Sequence, residues 1–454
     1  MSKFVKLKKG FNIKLVGAAK KEIVDSVHPE TFALKPSDFL GMERPKLLVS
    51  EGDNVKAGSP LLFDKTKPDV LYTAPVSGEV VEIKRGEKRR LLEIRILADK
   101  QIQYQPFDKY TISEINNISK DQILKQLVTC GIWPKFIQRP YGIIANPQDS
   151  PKAIFISAFD SHPLAPDLDF ILKGQDQYFQ TGLDLIKKLT PGKVHLNVDS
   201  DAEVSPLFSA VRGVEINKFS GPHPSGNVGV QIHHLDPINK GEVAWTLSPY
   251  AVVQIGKLFL EGVYDASKIF AVAGSSVKEP RYYRTYDGAC IDKFIKDNLQ
   301  HENVRFISGN VLTGERIAST GYLGFYHHLI TVITEGDYHE FLGWLKPTSS
   351  KLSFHRALGL MSFMNRNKEY DLDTNTCGEE RAFVQTGVFE RVTPMDILPT
   401  HLIKAIMAED YDDMETLGIY EVVEEDLALC EFVDVSKHNI QSILRQGIDL
   451  MIHS

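Results

Sequence analysis

The stretch from Pro45 to Leu97 constrains the fold of this chain more than any other. It reads "KLLVSEGDNVKAGSPLLF" and then "VLYTAPVSGEVVEIKRGEKRRLLEIRIL", short β-branched and aliphatic runs punctuated by Gly, Pro and Asp. Runs this short bury no helical face, and the punctuation forces tight reversals. The stretch is therefore expected to close into a compact all-β module of short strands. Such a module uses only a small part of the 454 residues. One core cannot serve the remainder, and ordinary domain sizes call for about three or four domains.

Beyond the module, "ISEINNISKDQILKQLVTCGIW" carries apolar residues at helical spacing, with Ser119 as N-cap and Gly131 as stop. Next come strands in "AIFISAF", "KVHLNV" and "GVEINKF" and a helix in "YFQTGLDLIKKL" ending near Pro191 and Gly192. Strand and helix in alternation favour a layered α/β domain. The region that follows runs from "AVVQIGKLFLEG" through "SKIFAVAG", a possible helix "IDKFIKDNL" and the strands "VRFISG" and "HHLITVITEG", an α+β order. After Trp344 and Pro347 the pattern turns helical, most clearly in "PMDILPTHLIKAIMAED" and "NIQSILRQGIDLMIHS". The expected units are residues 1–105, 106–250, 251–346 and 347–454. No repeat of solenoid period and no low-complexity tract occurs.

Composition narrows the function classes. Hydrophobic residues at 43% and charged residues at 24% are those of a globular protein. A net charge of −7 argues against a nucleic-acid binder, which needs a basic face. Lys3, Lys6, Lys8, Lys9, Lys14, Lys20 and Lys21 make the start basic, whereas residues 405–436 hold eleven acidic residues and no Lys or Arg. Both runs read as solvated surface or as docking faces for a partner. The most apolar stretch, "PYAVVQIGKLFLEGVY", is interrupted by Lys257 and Glu261, so no membrane span is expected. The start has no continuous apolar core or cleavage site of a signal peptide. Cys130, Cys290, Cys377 and Cys430 are far apart with no CxxC, which fits a reducing cytosol and free, buried thiols.

Motifs for nucleotide loops, nucleophile elbows and zinc proteases are missing. His233-His234 and His327-His328 resemble metal ligands, but neighbours in a strand point to opposite faces, so surface or structural histidines are the plainer reading. The segment "FDKTKPDVLYTAPVSGEVVEI" resembles half of a lipoyl-type carrier with a lysine at a hairpin tip. The lead-in from Gly52 to Lys65 is shorter than such domains use, Pro68 interrupts the following strand, and Lys67 competes with Lys65 for the tip. A solvated turn lysine on a retained barrel is the expectation.

A further set of segments carries a resemblance along nearly the whole chain: "APVSGEVVEIKRGEKR", "CGIWPKFIQRP", "AIFISAFDSHPLAPD", "FSGPHPSGNVGVQIHHLDP", "FISGNVLTG", "YLGFYHHLITVITEG", "GEERAFVQTGVFERVTPMDILPT" and "EEDLALCEFV". Together they closely resemble the A subunit of the sodium-translocating NADH:quinone reductase, a family similar to the C subunit of Rnf-type electron-transport complexes. It is more distantly similar to the flavin-bearing subunit of respiratory complex I. The resemblance implies a multidomain α/β and α+β protein. Its parts would be a lipoyl-like barrel-sandwich domain, a Rossmann-like domain with a degenerate flavin site, a β-grasp-like domain, and a helical domain with a degenerate iron–sulfur region.

What the relatives possess and this chain lacks is informative. Where a glycine-rich loop would approach FMN, Trp133 and Phe136 stand, and Ser157, Phe159 and His162 replace the usual polar and acidic residues, with only Asp160 keeping its acid. An indole ring blocks backbone approach to a phosphate. Cys377 and Cys430 are too few for a cluster. The resemblance thus implies no FMN, iron–sulfur or lipoyl group on this chain, with quinone as substrate. Trp133 and Phe136 offer rings for quinone stacking, Arg139 or His162 a hydrogen bond to a carbonyl, and His162 a proton during reduction, with Asp160 a further quinone-binding candidate. The competing reading is that the rings fill the emptied flavin cavity as core. The implied protein is a peripheral subunit on the cytoplasmic face of a bacterial inner membrane, bound to the other subunits of the reductase. A ligand-free docking scaffold, an Rnf-type subunit and an independent flavin- or lipoyl-type enzyme are the alternatives.

Overall fold

A computed structural model describes residues 2–341, 350–354, 367–384 and 386–453. The expected β module is a sandwich of two sheets. One carries strands Thr31–Leu34, Leu91–Ala98, Gly78–Arg85 and Asn54–Val55 in that order; the other carries Pro45–Leu47, Pro60–Asp64 and Lys67–Thr73. Alternate side chains turn inward, and Leu61, Leu62, Val80, Ile94 and Ile96 are buried between the sheets. Lys65 and Thr66 form the turn between Pro60–Asp64 and Lys67–Thr73. The buried Asp64 carboxylate fixes that turn by accepting from the backbone N–H groups of Glu43, Arg44 and Thr66. Pro68 lies inside its strand rather than interrupting it, because that strand is a sheet edge, where a missing N–H leaves no ladder bond unmade. Lys67 is not a rival for the tip: it opens the strand, and its Nζ donates to the carbonyl of Ile144.

The second unit is built on parallel strands. Phe4–Lys6, Glu215–Ser220, Lys193–Asp199, Ala153–Ser157 and Ala244–Leu247 run parallel side by side, and an antiparallel hairpin of Ile137–Arg139 and Ile143–Ile144 closes the edge. Ser119 caps helix Lys120–Thr129 in a reciprocal bond pair with Gln122, and Gly131, at φ +91°, takes the chain out of it. Helices Asp176–Ile186 and Pro249–Glu261 cross at glycines. A Cβ on Gly256 would lie 1.9 Å from the carbonyl oxygen of Tyr178, and one on Gly182 would lie 2.1 Å from that of Val252. Helix Pro249–Glu261 thus packs in this unit and runs across the boundary expected at residue 250.

The third unit is a mixed sheet in the order Glu315–Ile317, Val304–Ser308, Leu329–Thr334, Ser267–Ala273, Arg281–Tyr286, Lys20–Val24. The helix expected across "IDKFIKDNL" is a single turn, Asp292–Ile295, because Asp297 takes a positive φ and ends it. Helices Pro399–Met407, Tyr411–Thr416, Glu424–Val433 and Ile440–His453 then surround Leu402, Ile403, Leu427, Leu444 and Ile448. The sequence expectations at Trp344 and Pro347 lie outside the described residues. The basic start does not stay with the β module. Its two strands join the second and third sheets, and between them Leu7, Ile13 and Leu15 enter the core of the C-terminal helices.

Candidate functional site

The segment from Cys130 to Ala145 leaves a helix, makes one 3-10 turn over Trp133–Lys135 and enters the edge hairpin. Trp133 and Phe136 point into the second unit and are completely buried. Their rings stack 4.6 Å apart, and both meet the edge of Trp245 from the neighbouring strand. Trp133 Nε1 donates to the Ala145 carbonyl at 2.8 Å. Every face of the pair is taken by protein. The structure places both rings expected to meet quinone inside the core, packed against Trp245.

Lys135, between them, turns the other way, into the junction of the β module with the second and third units. Its Nζ lies 3.1 Å from Asp287 Oδ2 and 4.3 Å from the centre of the Phe325 ring. Lys268 Nζ lies 2.6 Å from the other Asp287 oxygen and also donates to the Phe325 and His327 carbonyls. Two buried ammonium groups thus share one buried carboxylate. Burial opposes ionisation of Asp287, but the two lysine charges outweigh it and hold its carboxyl below the usual range. For Lys135 burial dominates, and its pKa is lowered. A cavity of about 10 Å³ borders the triad, lined among others by Lys35, Asp38, Thr73, Tyr264 and Phe325. That is room for one water and no more.

His327 and His328 stand beside this junction, and burial pushes both down to about 3, aided by the Lys268 charge. Their ring nitrogens are engaged with Ser308 Oγ and the Ile269 carbonyl. His233 and His234 end helix Val228–Leu235, not a strand as expected; His233 bonds Glu421 and the Asp396 N–H, and His234 the Pro394 carbonyl. Among the described residues no group of three or more His, Cys, Asp or Glu has metal-site geometry.

Arg139, Asp160 and His162 do come together, but away from the aromatic pair, against helix Glu424–Val433. Arg139 is buried and bonds Asp426 Oδ2 at 2.9 Å and Glu425 Oε1 at 2.5 Å. Its two terminal nitrogens are taken by those carboxylates, while its buried Nε has no hydrogen-bond partner. Asp160 accepts from the backbone N–H of His162 and lies 2.6 Å from its Nδ1. Burial alone would lower the His162 pKa; the Asp160 carboxylate beside it wins and raises it. His223, its ring 4.6 Å from that of His162, bonds Ser161 Oγ, and burial reinforced by His162 takes it down to about 3. The outcome is an imidazole whose protonated form is favoured by the carboxylate beside it, next to a second imidazole that burial keeps neutral.

The thiols divide three to one. Cys130, Cys290 and Cys430 are buried, and burial pushes Cys130 and Cys430 up to about 12, whereas Cys377 is exposed, against the expectation for all four. Of the groups sequence reasoning passed over, Lys135 had a signal: a lysine inside "IWPKF", where every neighbour is apolar. Asp287, Lys268 and His223 had none, because long-range folding brings them in.

Comparison with known proteins divides the chain in a similar way. Residues 5–99 match the NqrA N-terminal barrel-sandwich hybrid domain, 118–264 the NqrA second alpha/beta domain, and 269–319 the NQRA C-terminal domain. The second match also carries helix Pro249–Glu261 whole. The A subunit of the Na(+)-translocating NADH-quinone reductase of Yersinia pestis bv. Antiqua is 39% identical over 97% of this chain and 98% of its own length. That of Serratia proteamaculans is 38% identical over 97% and 98%, and that of Rhodopirellula baltica 37% over 98% and 97%. Identity at that level from end to end, on a barrel-sandwich followed by an α/β unit, is the mark of common descent: the chain belongs to the family of the Na(+)-translocating NADH-quinone reductase A subunit.

Proposed function

We propose that this chain works as the A subunit of a sodium-pumping NADH:quinone oxidoreductase, contributing to quinone binding and to assembly of the complex. The single observation that carries the reading is identity of 37 to 40% over nearly the whole length of curated A subunits. Among the described residues no helix is long and apolar enough to cross a membrane. As a subunit of that complex the chain would sit peripherally, on the cytoplasmic face, held by the other subunits. The run of five parallel strands supports reading the second unit as Rossmann-like, and the mixed sheet around Ser267–Ala273 supports a β-grasp-like third unit. The buried Trp133 indole supports reading the chain as one without FMN, and the isolation of exposed Cys377 and buried Cys430 supports reading it as one without an iron–sulfur cluster. Lys65, at an exposed turn, is read as an unmodified lysine.

Of the five residues expected to meet quinone, His162 and Asp160 keep that role best, since the pair is partly exposed and the Asp160 carboxylate favours the protonated imidazole. Arg139 would act by positioning Glu425 and Asp426 beside them, and Trp133 and Phe136 by stiffening the hairpin. The test is steady-state kinetics of the whole complex carrying His162→Gln. The expected result is a severalfold higher KM for quinone in a complex that still assembles. An unchanged KM would leave the docking scaffold. A flavin band in the spectrum of the purified chain, or a covalent mass increment on Lys65, would overturn the cofactor assignment.

A further inference from the structure

The hairpin joining strands Gly78–Arg85 and Leu91–Ala98 ends in "KRGEKRR", residues 84–90, five cations against one acid in a chain whose net charge is −7. The tip is a built turn. Gly86 N–H donates to the Arg90 carbonyl, Arg90 N–H to that of Glu87, and Arg85 Nη1 to that of Arg89. Lys88 and Arg89 both take left-handed backbone angles, φ 52° and 62°, which residues with a Cβ adopt at a cost. The three hydrogen bonds hold the tip in that shape, with Arg85, Lys88, Arg89 and Arg90 all exposed. Lys84 lies 3.8 Å from Glu93, but the other four have no carboxylate in ion-pair contact among the described residues.

We propose that this hairpin tip is a docking point for an anionic phospholipid surface. The inference rests on the membrane-complex reading above, and its test involves no quinone. The partner's chemistry follows from what the tip lacks as much as from its charge. No aromatic or large apolar residue stands between Lys84 and Arg90, and the flanking Leu91 is buried. A protein partner is gripped by anchor side chains in fitted pockets. A fluid anionic headgroup layer needs no anchor, only cations within a Debye length of about 10 Å. Glu82 and Glu93, on the two flanking strands, are balanced by Arg95 and Lys84, so the attraction of the tip comes from Arg85, Lys88, Arg89 and Arg90 against Glu87.

The experiment is flotation of the full chain with vesicles of phosphatidylcholine, with and without phosphatidylglycerol, at low and high salt. Binding is expected only with phosphatidylglycerol and is expected to fall with salt. Lys88→Gln/Arg89→Gln/Arg90→Gln should weaken it at least tenfold, roughly fivefold per charge being the upper end, with the unfolding midpoint unchanged. The control Lys6→Gln/Lys8→Gln/Lys9→Gln, on the equally basic and exposed N-terminal arm, should bind as the parent does. Equal losses in both variants would overturn the hairpin assignment in favour of diffuse charge. No lipid selectivity, together with failure of the hairpin variant to co-purify with the other subunits, would replace the membrane with an acidic protein face.

Discussion

Lys135 shows how little sequence spacing says about the direction a side chain takes. It sits between two aromatic residues of one short turn, yet they face the second unit's core and it faces the junction of three units. Each environment predicts its own failure. Trp133→Ala removes a fully buried ring that stacks on Phe136 and bonds Ala145, and should destabilise the protein by about 3–5 kcal/mol in urea titration. A loss under about 1 kcal/mol would mean the ring is not packed as described. Asp287→Asn should cost a similar ~3–5 kcal/mol, because it leaves two buried ammonium groups without a counter-charge. The pH dependence has a definite sign. The Asp287 carboxyl is held below its unfolded value, so its contribution is complete above the ordinary carboxylate range and is lost as pH falls through the folded value. The variant should therefore lose part of the parent's acid-side decline in stability.

At the level of elements, the decisive contact is between helix Glu424–Val433 and the edge hairpin, where Arg139 bonds Glu425 and Asp426, with His162 close enough to feel those two carboxylates. Closeness is enforced there by Gly229, where a Cβ would lie 2.3 Å from the Asp426 carboxylate. The groups facing His162 are Asp160 on its own loop, His223, and Glu425 and Asp426 on the helix. The His162 pKa is raised on folding, so its contribution is complete below the ordinary histidine value near 6.5 and is lost as pH rises through the folded value. Chemical denaturation at a series of pH values should show stability declining as pH rises above about 6.5 in the parent and less so in His162→Gln. Parallel profiles would remove His162 from the interface energetics.

In the whole molecule the basic N-terminal arm ties the units together. Strand Phe4–Lys6 extends the parallel sheet, Leu7, Ile13 and Leu15 join the C-terminal core, Val16 N–H donates to the Tyr370 carbonyl, and Lys20–Val24 extends the third sheet. Lys21 adds an ion pair to Asp167. Deleting residues 2–24 should therefore free the C-terminal helices while sparing the β module. In limited proteolysis the helices should be cut roughly tenfold faster or more, with fragments of the module persisting; uniform degradation would show that the arm holds nothing in particular.

That arm also marks how far sequence reading reaches. The β module, the capped helix at Ser119, the alternation of the second unit and the late helices were legible because each depends on periodicity, caps and turn residues close together in the chain. The family was legible too, in segments spread over its length. The destination of the arm, the sealing of Trp133 and Phe136 under Trp245, and the pairing of Lys135 with Asp287 and of Arg139 with Asp426 were decided by tertiary structure alone. Strand pairing and burial are set by partners hundreds of residues away, and a charged or aromatic side chain has no spacing rule that says which of several surrounding cores it enters.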